Sequence, residues 1–399
     1  MRVRISKGIP SGSSAFPPSK SFAHRYLIGG MLAGGSTIHH LEYSEDVLAT
    51  LDCLSALGAS INLEGGSAKF SSRIPIENHP ILPCRESGST LRFFLPIAAA
   101  LCPSFSLTGT ARLLQRGVGP YQSCLSSHGV TIESHGKEIV VTGRLTPGHY
   151  EIDGSTSSQY ITGLLFALPL LPGDSEIHIL GAQASKDYTN ITRKVLADFG
   201  IRIEETPYGY FIPGNQEYQS GSFTVEDDAS NAAFLSAFAA LGAPLSLPSI
   251  SEDSLQGDRV FAKHFKTLHD GFAEINVDNC IDLAPVLFAF ASLSHGARFT
   301  GIERLSLKES SRAEAMKEEL AKAGIQVELT PHFAVVHPYN GIQQSFYFDS
   351  HNDHRIAMAL SLFSLRGDVE ISGAEAVKKS YPRYFDELSN LGMEVTKYE

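Results

Sequence analysis

One phrase recurs along this chain at nearly fixed intervals, and it restricts the fold more than any other feature. The phrase is a helical stretch, a glycine and then an alternating strand. It reads Leu57-Gly58-Ala-Ser-Ile61, His128-Gly129-Val-Thr-Ile132 and Phe199-Gly200-Ile-Arg-Ile203. It returns as Asp270-Gly271 before Ile275, as Ala323-Gly324-Ile-Gln-Val327 and as Leu391-Gly392-Met-Glu-Val395. Gly58, Gly129, Gly200 and Gly271 are each 71 residues apart, and the last two intervals are 53 and 68. A glycine there fits a helix C-cap, where the chain takes a left-handed step before entering a strand. Three equal intervals mark a repeated supersecondary unit rather than six coincidences.

A second phrase interleaves with the first: an apolar helix, then Gly or Pro, then a β-rich run. Its copies are Tyr26–Ala33, Leu91–Leu101, Tyr160–Leu171, Ala232–Leu241, Ala284–Leu293 and Ile356–Leu365. Six helix–strand–helix–strand units of about 70 residues account for nearly the whole chain. Three of them fill residues 19–227 and three fill 228–399, which predicts an α/β (α+β) protein of two domains. The N-terminal strand, within residues 1–18, is expected to return to the second domain. The 399 residues agree with two or three domains of ordinary size.

Composition narrows the function classes. With 43% hydrophobic and 19% charged residues the chain is globular rather than disordered. A net charge of −11 argues against nucleic acid and anionic membranes, which need a basic face, but leaves room for a local anion pocket. Cys53, Cys84, Cys102, Cys124 and Cys280 form no C-x-x-C pair, which predicts neither a disulfide framework nor a metal site. Without a signal-peptide apolar region or an unbroken membrane-spanning run, the expectation is a cytoplasmic protein.

The residues at the helix starts carry the chemistry. Ser19-Lys20-Ser21, Ser87-Gly88-Ser89-Thr90, Ser155-Thr156-Ser157-Ser158-Gln159, Asp228-Ala229-Ser230, Asp282 and Asn352-Asp353-His354-Arg355 precede or open the six apolar helices. Ordinary N-capping explains several of them. Helix N-termini also attract anions, and Lys20, Arg25, Arg92, Arg116, Lys308, Arg312, Arg355 and Lys379 lie at or near such places. Arginine suits bidentate recognition of phosphate or carboxylate, so the set predicts a substrate with more than one anionic group.

Six segments, in order, resemble the signatures of the EPSP synthase (3-phosphoshikimate 1-carboxyvinyltransferase) family, one of the enolpyruvyl transferases. They are Phe16-Pro-Pro-Ser-Lys-Ser-Phe-Ala-His-Arg25, Glu86-Ser-Gly-Ser-Thr-Leu-Arg92, Gly154-Ser-Thr-Ser-Ser-Gln159, Leu307-Lys-Glu-Ser-Ser-Arg312, Asn352-Asp-His-Arg355 and Lys379-Ser-Tyr-Pro382. The resemblance implies a two-domain inverse α/β barrel. Each domain would hold three βαβαββ repeats, with the active site in the interdomain cleft. It implies transfer of the enolpyruvyl group of phosphoenolpyruvate to the 5-hydroxyl of shikimate 3-phosphate, by addition and elimination through a tetrahedral intermediate. This is a step toward chorismate and the aromatic amino acids. No cofactor, no metal and a monomeric state are implied as well.

By position, the resemblance gives shikimate 3-phosphate to Lys20, Ser21, Arg25, Ser157, Ser158, Gln159, Ser185, Tyr188, Asp282 and Lys308. It gives phosphoenolpyruvate to Lys20, Gly88, Arg92, Arg116, Gln159, Arg312, Arg355 and Lys379. Asp282 matches the family's base for the attacking hydroxyl, and an N-cap is its plainer role. Glu309 is the expected acid or proton relay, with Lys20 and His354 also placed in the catalytic set; a salt-bridged first-turn residue is the plainer reading of Glu309. Several positions depart from the family pattern: Pro18 for Gly, Glu86 for Asn, Gly117 for Pro, Asp187 for Pro and Ser311 for Asp. The retained Gly88 leaves room for a phosphonate inhibitor such as glyphosate.

Three alternatives are weaker. A UDP-N-acetylglucosamine enolpyruvyl transferase usually has a reactive Cys in the loop corresponding to residues 115–119, and this chain has none there. An RNA 3′-phosphate cyclase needs a basic RNA face. A non-catalytic sugar-phosphate-binding homologue would not need Asp282, Glu309 and Lys20 together.

Overall fold

A helix that is apolar around its whole circumference can be stable in water only when it is enclosed on all sides. Six such helices organise the protein: Lys20–Ala33, Gly88–Leu101, Ser158–Ala167, Ala229–Ala240, Ala284–Leu293 and His354–Leu360. Almost every residue of each is buried. The structure is a computed structural model that describes residues 1–71 and 75–398.

The chain divides into two units, Pro18–Glu226 and Met1–Pro17 with Asp227–Glu399. In the unit Pro18–Glu226, three of the apolar helices are joined to three four-stranded sheets of one design. In the second sheet, Ile81–Pro83 runs parallel to Ser104–Thr108, which pairs antiparallel with Glu138–Gly143, which pairs antiparallel with Val130–Ser134. The third sheet repeats the order with His149–Asp153, Ser175–Leu180, Gly209–Ile212 and Glu204–Thr206. The first takes its outer parallel strand, Ser222–Thr224, from the end of the unit and pairs it with Thr37–His39. Burial alternates along Ser67–Phe70 and His149–Asp153, which turn every second residue to the core, whereas the central strand Ser104–Thr108 is buried through its middle three residues.

The other unit has two sheets of the same design and one remnant. Ala273–Asn276, Ala297–Thr300, Phe333–Val336 and Val327–Leu329 make one. Ser345–Asp349, Asp368–Ser372, Arg2–Ile5 and Val395–Tyr398 make the other, in which the N-terminal strand lies between two strands from the end of the chain. The remnant is the two-residue pairing of Leu245–Ser246 with Gly12–Ser13.

This remnant accounts for the short 53-residue interval. After Gly129 and Gly324 the chain forms two return strands before the next unit begins. After Gly271 it enters Ala273–Asn276 directly, and that strand is the opening strand of the fifth unit. The strand expected around Ile275 therefore belongs to a different position in the repeat. Backbone geometry agrees: Gly58, Gly129, Gly200, Gly324 and Gly392 have φ of 81, 80, 76, 75 and 86°, whereas Gly271 stands at 159°. Gly58, Gly129, Gly200 and Gly324 turn a helix into a hairpin and Gly392 turns one into the last strand; Gly271 only lets an extended chain continue.

Candidate active site

In the unit Pro18–Glu226, three apolar helices present their first turns with the family-like residues on them. Lys20 opens Lys20–Ala33, and its ammonium lies 2.6 Å from Asp46 in the first turn of Glu45–Ala56. Ser21 follows it. One turn later Arg25 is buried and makes four hydrogen bonds to neutral oxygens. Its Nε donates to Thr192 Oγ1 (2.8 Å), Nη1 to the Ser21 carbonyl (2.7 Å), and Nη2 to Thr162 Oγ1 (3.3 Å) and the Tyr188 carbonyl (3.1 Å). It also lies over the Phe93 ring, 5.1 Å from its centre. Burial draws its pKa down to about 9. Arg25 thus ties together the helices that carry Ser21, Ser158 and Tyr188.

Around the start of Gly88–Leu101 the cations come closer. Arg92 donates from Nε to Tyr160 Oη (3.1 Å) and from Nη1 to Gln159 Oε1 (2.5 Å), while Gln159 Nε2 donates to Ser89 Oγ (3.0 Å). A Cβ added to Gly88 would stand 3.2 Å from Arg92 Nη1 and 3.3 Å from Arg116 Nη2. Two guanidiniums and a helix N-terminus therefore meet over a residue without a side chain, a place that favours an anion. Ser157 caps Ser158–Ala167 by accepting from Gln159 N at 3.3 Å. Ser185, at φ +50°, is the N-cap position of Lys186–Asp198, which carries Tyr188. Arg85, next to Glu86 in the chain, pairs with Asp52 (2.7 Å) and Glu45 (2.6 Å).

The other unit gathers opposite charges. Asp282 Oδ1 lies 2.6 Å from Arg312 Nη1 and 3.2 Å from Lys308 Nζ, and its Oδ2 is 3.4 Å from Arg355 Nη2. Arg312, buried, also donates to Asp353 Oδ2 (2.8 Å) and to Glu309 Oε2 (2.7 Å). Asp353 accepts from Ser310 Oγ (3.1 Å) and caps His354–Leu360 by accepting from Arg355 N (2.9 Å). Lys379 donates to the Asn352 carbonyl (2.7 Å), and the His354 ring is buried beside Asp353. Every residue selected from the sequence in this unit, Asp282, Lys308, Glu309, Arg312, His354, Arg355 and Lys379, falls in or beside this one network.

Electrostatics set the states of these groups. Burial alone would push the Asp282 carboxyl up, but the charges of Arg355, Lys308 and Arg312 outweigh it and hold the carboxyl well below its usual range. Burial lowers the Lys308 ammonium despite Asp282 beside it. Burial also disfavours charge on Arg312, yet Asp353, Glu309 and Asp282 together raise its pKa.

The plainer readings hold only in part. Asp282 is not an N-cap, because it lies within the short helical stretch Asp278–Leu283, kinked at Cys280, and the following helix has Leu283 at its cap without a side-chain bond. Glu309 is salt-bridged to Arg312 but precedes the helix, which begins at Arg312. Capping does hold at Ser87, Ser157, Asp228 and Asp353.

Residues that sequence reasoning passed over also belong here. Asp353, quoted within a motif, is the buried anchor of Arg312. Asp258 is buried and bonded to Ser230 Oγ, and burial together with the Asp282 charge pushes it up to about 7. Only its place in Gln256-Gly-Asp258, just before a helix, distinguished it in the sequence. Two groups could supply metal ligands among the described residues: His149, Glu151 and His178, and Glu318, Glu319 and His351. Neither includes a residue of the networks above, and both Glu319 oxygens already accept from Lys322 (2.8 and 2.7 Å).

Comparisons with known proteins agree along the chain's length. A sequence model of the EPSP synthase (3-phosphoshikimate 1-carboxyvinyltransferase) family matches residues 10–388. A Clostridium kluyveri protein named 3-phosphoshikimate 1-carboxyvinyltransferase is 37% identical, the alignment covering 97% of this chain and 96% of that one. A protein of the same name from Clostridioides difficile is 33% identical, with 97% of each chain covered. A solved EPSP synthase from Acinetobacter baumannii superposes with a TM-score of 0.78 at 23% identity, covering 99% of this chain and all of that one. The fold is shared with that structure, and by sequence the chain belongs to the EPSP synthase family.

Proposed function

We propose that the protein transfers the enolpyruvyl group of phosphoenolpyruvate to the 5-hydroxyl of shikimate 3-phosphate and releases phosphate. One observation carries the reading beyond family membership: a half-buried carboxylate, Asp282, sits against Lys308, Arg312 and Arg355. A site that only bound anions would gain nothing from a negative charge among its cations. A site that must also accept a proton needs one.

In this reading Lys20, Ser21, Arg25, Ser157, Ser158, Gln159, Ser185, Tyr188, Asp282 and Lys308 hold shikimate 3-phosphate. Lys20, Gly88, Arg92, Arg116, Gln159, Arg312, Arg355 and Lys379 hold phosphoenolpyruvate. Asp282 takes the 5-hydroxyl proton as that oxygen bonds to the enol carbon of phosphoenolpyruvate. Glu309 or Lys20 supplies a proton to the methylene carbon, and His354 contacts the tetrahedral adduct. Loss of a proton from the new methyl group, with departure of phosphate, restores the double bond. Alone with its three cations Asp282 is a weak base; substrate phosphate and carboxylate groups, by offsetting those cations, raise its basicity when it is needed. The cations in turn stabilise negative charge on the departing phosphate.

We also read the protein as a cytoplasmic monomer without nucleic-acid or membrane partners. In support, no helix among the described residues is long and apolar enough to cross a membrane. All five cysteines are buried free thiols. The deciding experiment incubates the purified protein with both substrates and follows phosphate release. Binding of both without release above background overturns the reading.

A further inference from the structure

The helix Lys20–Ala33 carries a histidine that no role above uses. His24 is 1% exposed, and burial, followed by the nearby Lys20 and Arg25 charges, holds its pKa well below the ordinary value, so it is neutral. Its Nδ1 lies 2.7 Å from Thr50 Oγ1 on Glu45–Ala56. Thr50 Oγ1 lies 2.9 Å from Thr90 Oγ1 on Gly88–Leu101, and Thr90 Oγ1 donates to Ser87 Oγ at 2.7 Å. Ser87 Oγ is also the N-cap acceptor for Thr90 N, at 3.2 Å.

Proton counting gives the chain a direction. Thr90 spends its one hydroxyl proton on Ser87, so Thr50 donates to Thr90, and Thr50 in turn accepts from His24 Nδ1–H. A neutral imidazole protonated at Nδ1 has a bare lone pair at Nε2. That atom is buried, packed in a ring edge-on to Phe93, and has no hydrogen-bond partner among the described residues. An unpaired acceptor there costs less than an unpaired donor would, so the one tautomer that completes the chain is also the one the pocket tolerates.

We propose that the buried chain His24–Thr50–Thr90–Ser87 is a positioning device for the anion site at Gly88. It joins the N-terminal halves of three helices, those bearing Lys20, Asp46 and Gly88 with Arg92, through hydroxyls that permit little change of distance. The Lys20–Asp46 pair links two of these helices near the surface; the chain links the same two beneath it and adds the third. The inference rests on the assignment of phosphoenolpyruvate to Gly88, Arg92 and Arg116. His24 and Thr50 act through other residues, and touch no substrate.

Thr50→Val keeps the shape and removes the central hydroxyl. It should raise KM for phosphoenolpyruvate about tenfold, the worth of a lost buried hydrogen bond, while kcat stays within about threefold. Thr50→Ser should restore KM. His24→Asn, whose amide N–H can replace Nδ1–H, should stay close to the wild type, whereas His24→Leu should behave like Thr50→Val. An unchanged KM in Thr50→Val, or equal losses in all four variants tracking their melting temperatures, overturns the proposal. A second measurement needs no turnover: nitrogen-15 spectra of the wild-type chain should show His24 neutral and protonated at Nδ1 from pH 5 to pH 8. Protonation at Nε2, or titration near the ordinary histidine value, overturns the relay whatever the activity. If the wild type releases no phosphate while His24 shows the Nδ1–H form, the proposed function fails and the buried relay stands.

Discussion

The buried arginines of the two units are held by different means. In Pro18–Glu226, Arg25 and Arg92 are fixed by neutral groups, Arg25 by hydroxyls and carbonyls and Arg92 by Tyr160 Oη and Gln159 Oε1, although Lys20 there pairs with Asp46. In the other unit Arg312, Lys308 and Arg355 are fixed by the carboxylates Asp282, Glu309 and Asp353. Neutral acceptors orient a cation and leave its field intact, which suits anion capture. Carboxylate partners spend that field locally, but leave ionised groups poised among cations whose charge a ligand can offset, which suits proton transfer.

The largest effect expected from this contrast is on turnover. Asp282→Asn should lower kcat by roughly two or more orders of magnitude with substrate binding preserved, as read by steady-state kinetics beside calorimetry. A drop in affinity with kcat intact would remove the distinction between the units. Next is stability. Arg312→Met strands buried Asp353 beside Asp282, so chemical denaturation should report a loss of about 3–5 kcal/mol. Arg92→Met strands only an amide and a phenol and should cost clearly less stability. Its loss should appear instead as a KM for phosphoenolpyruvate raised about tenfold or more, since hydrogen bonds to charged groups contribute about 1.5–3 kcal/mol. Equal destabilisation by the two substitutions would break the comparison.

The smallest effect concerns Asp258. A carboxyl with a folded pKa of about 7 binds a proton in the native state that the unfolded chain has already released. Its contribution therefore favours folding fully only below its ordinary acid range, and is lost as pH rises from there through about 7. Asp258→Asn should be more stabilising, or less destabilising, at pH 8 than at pH 5. Melting curves at the two pH values check the sign, and a reversed order would mean that Asp258 is ionised beside Asp282.

The repeat was legible because it rests on local backbone chemistry. A left-handed step is needed wherever a helix turns into a hairpin, and only glycine takes it at little cost. The same rule hid the truncated fourth unit, since Gly271 keeps its place in the count although the two strands after it are missing. Site residues were legible wherever a motif sits at a helix start, as at Lys20, Gly88, Gln159 and Arg355. Asp258, Asp353 and the His24–Thr50–Thr90 chain were not, because their importance lies in partners up to 41 residues away along the chain.

By itself, the sequence determined the sixfold periodicity, the apolar helices that must be enclosed, and the identity of the charged groups at their starts. Each of these follows from neighbours within a few residues. Only the tertiary structure decided which acceptor each cation meets, which carboxyls are ionised, and which glycine no longer precedes a hairpin. Those depend on burial and on distances of a few ångströms between residues that no local pattern brings together.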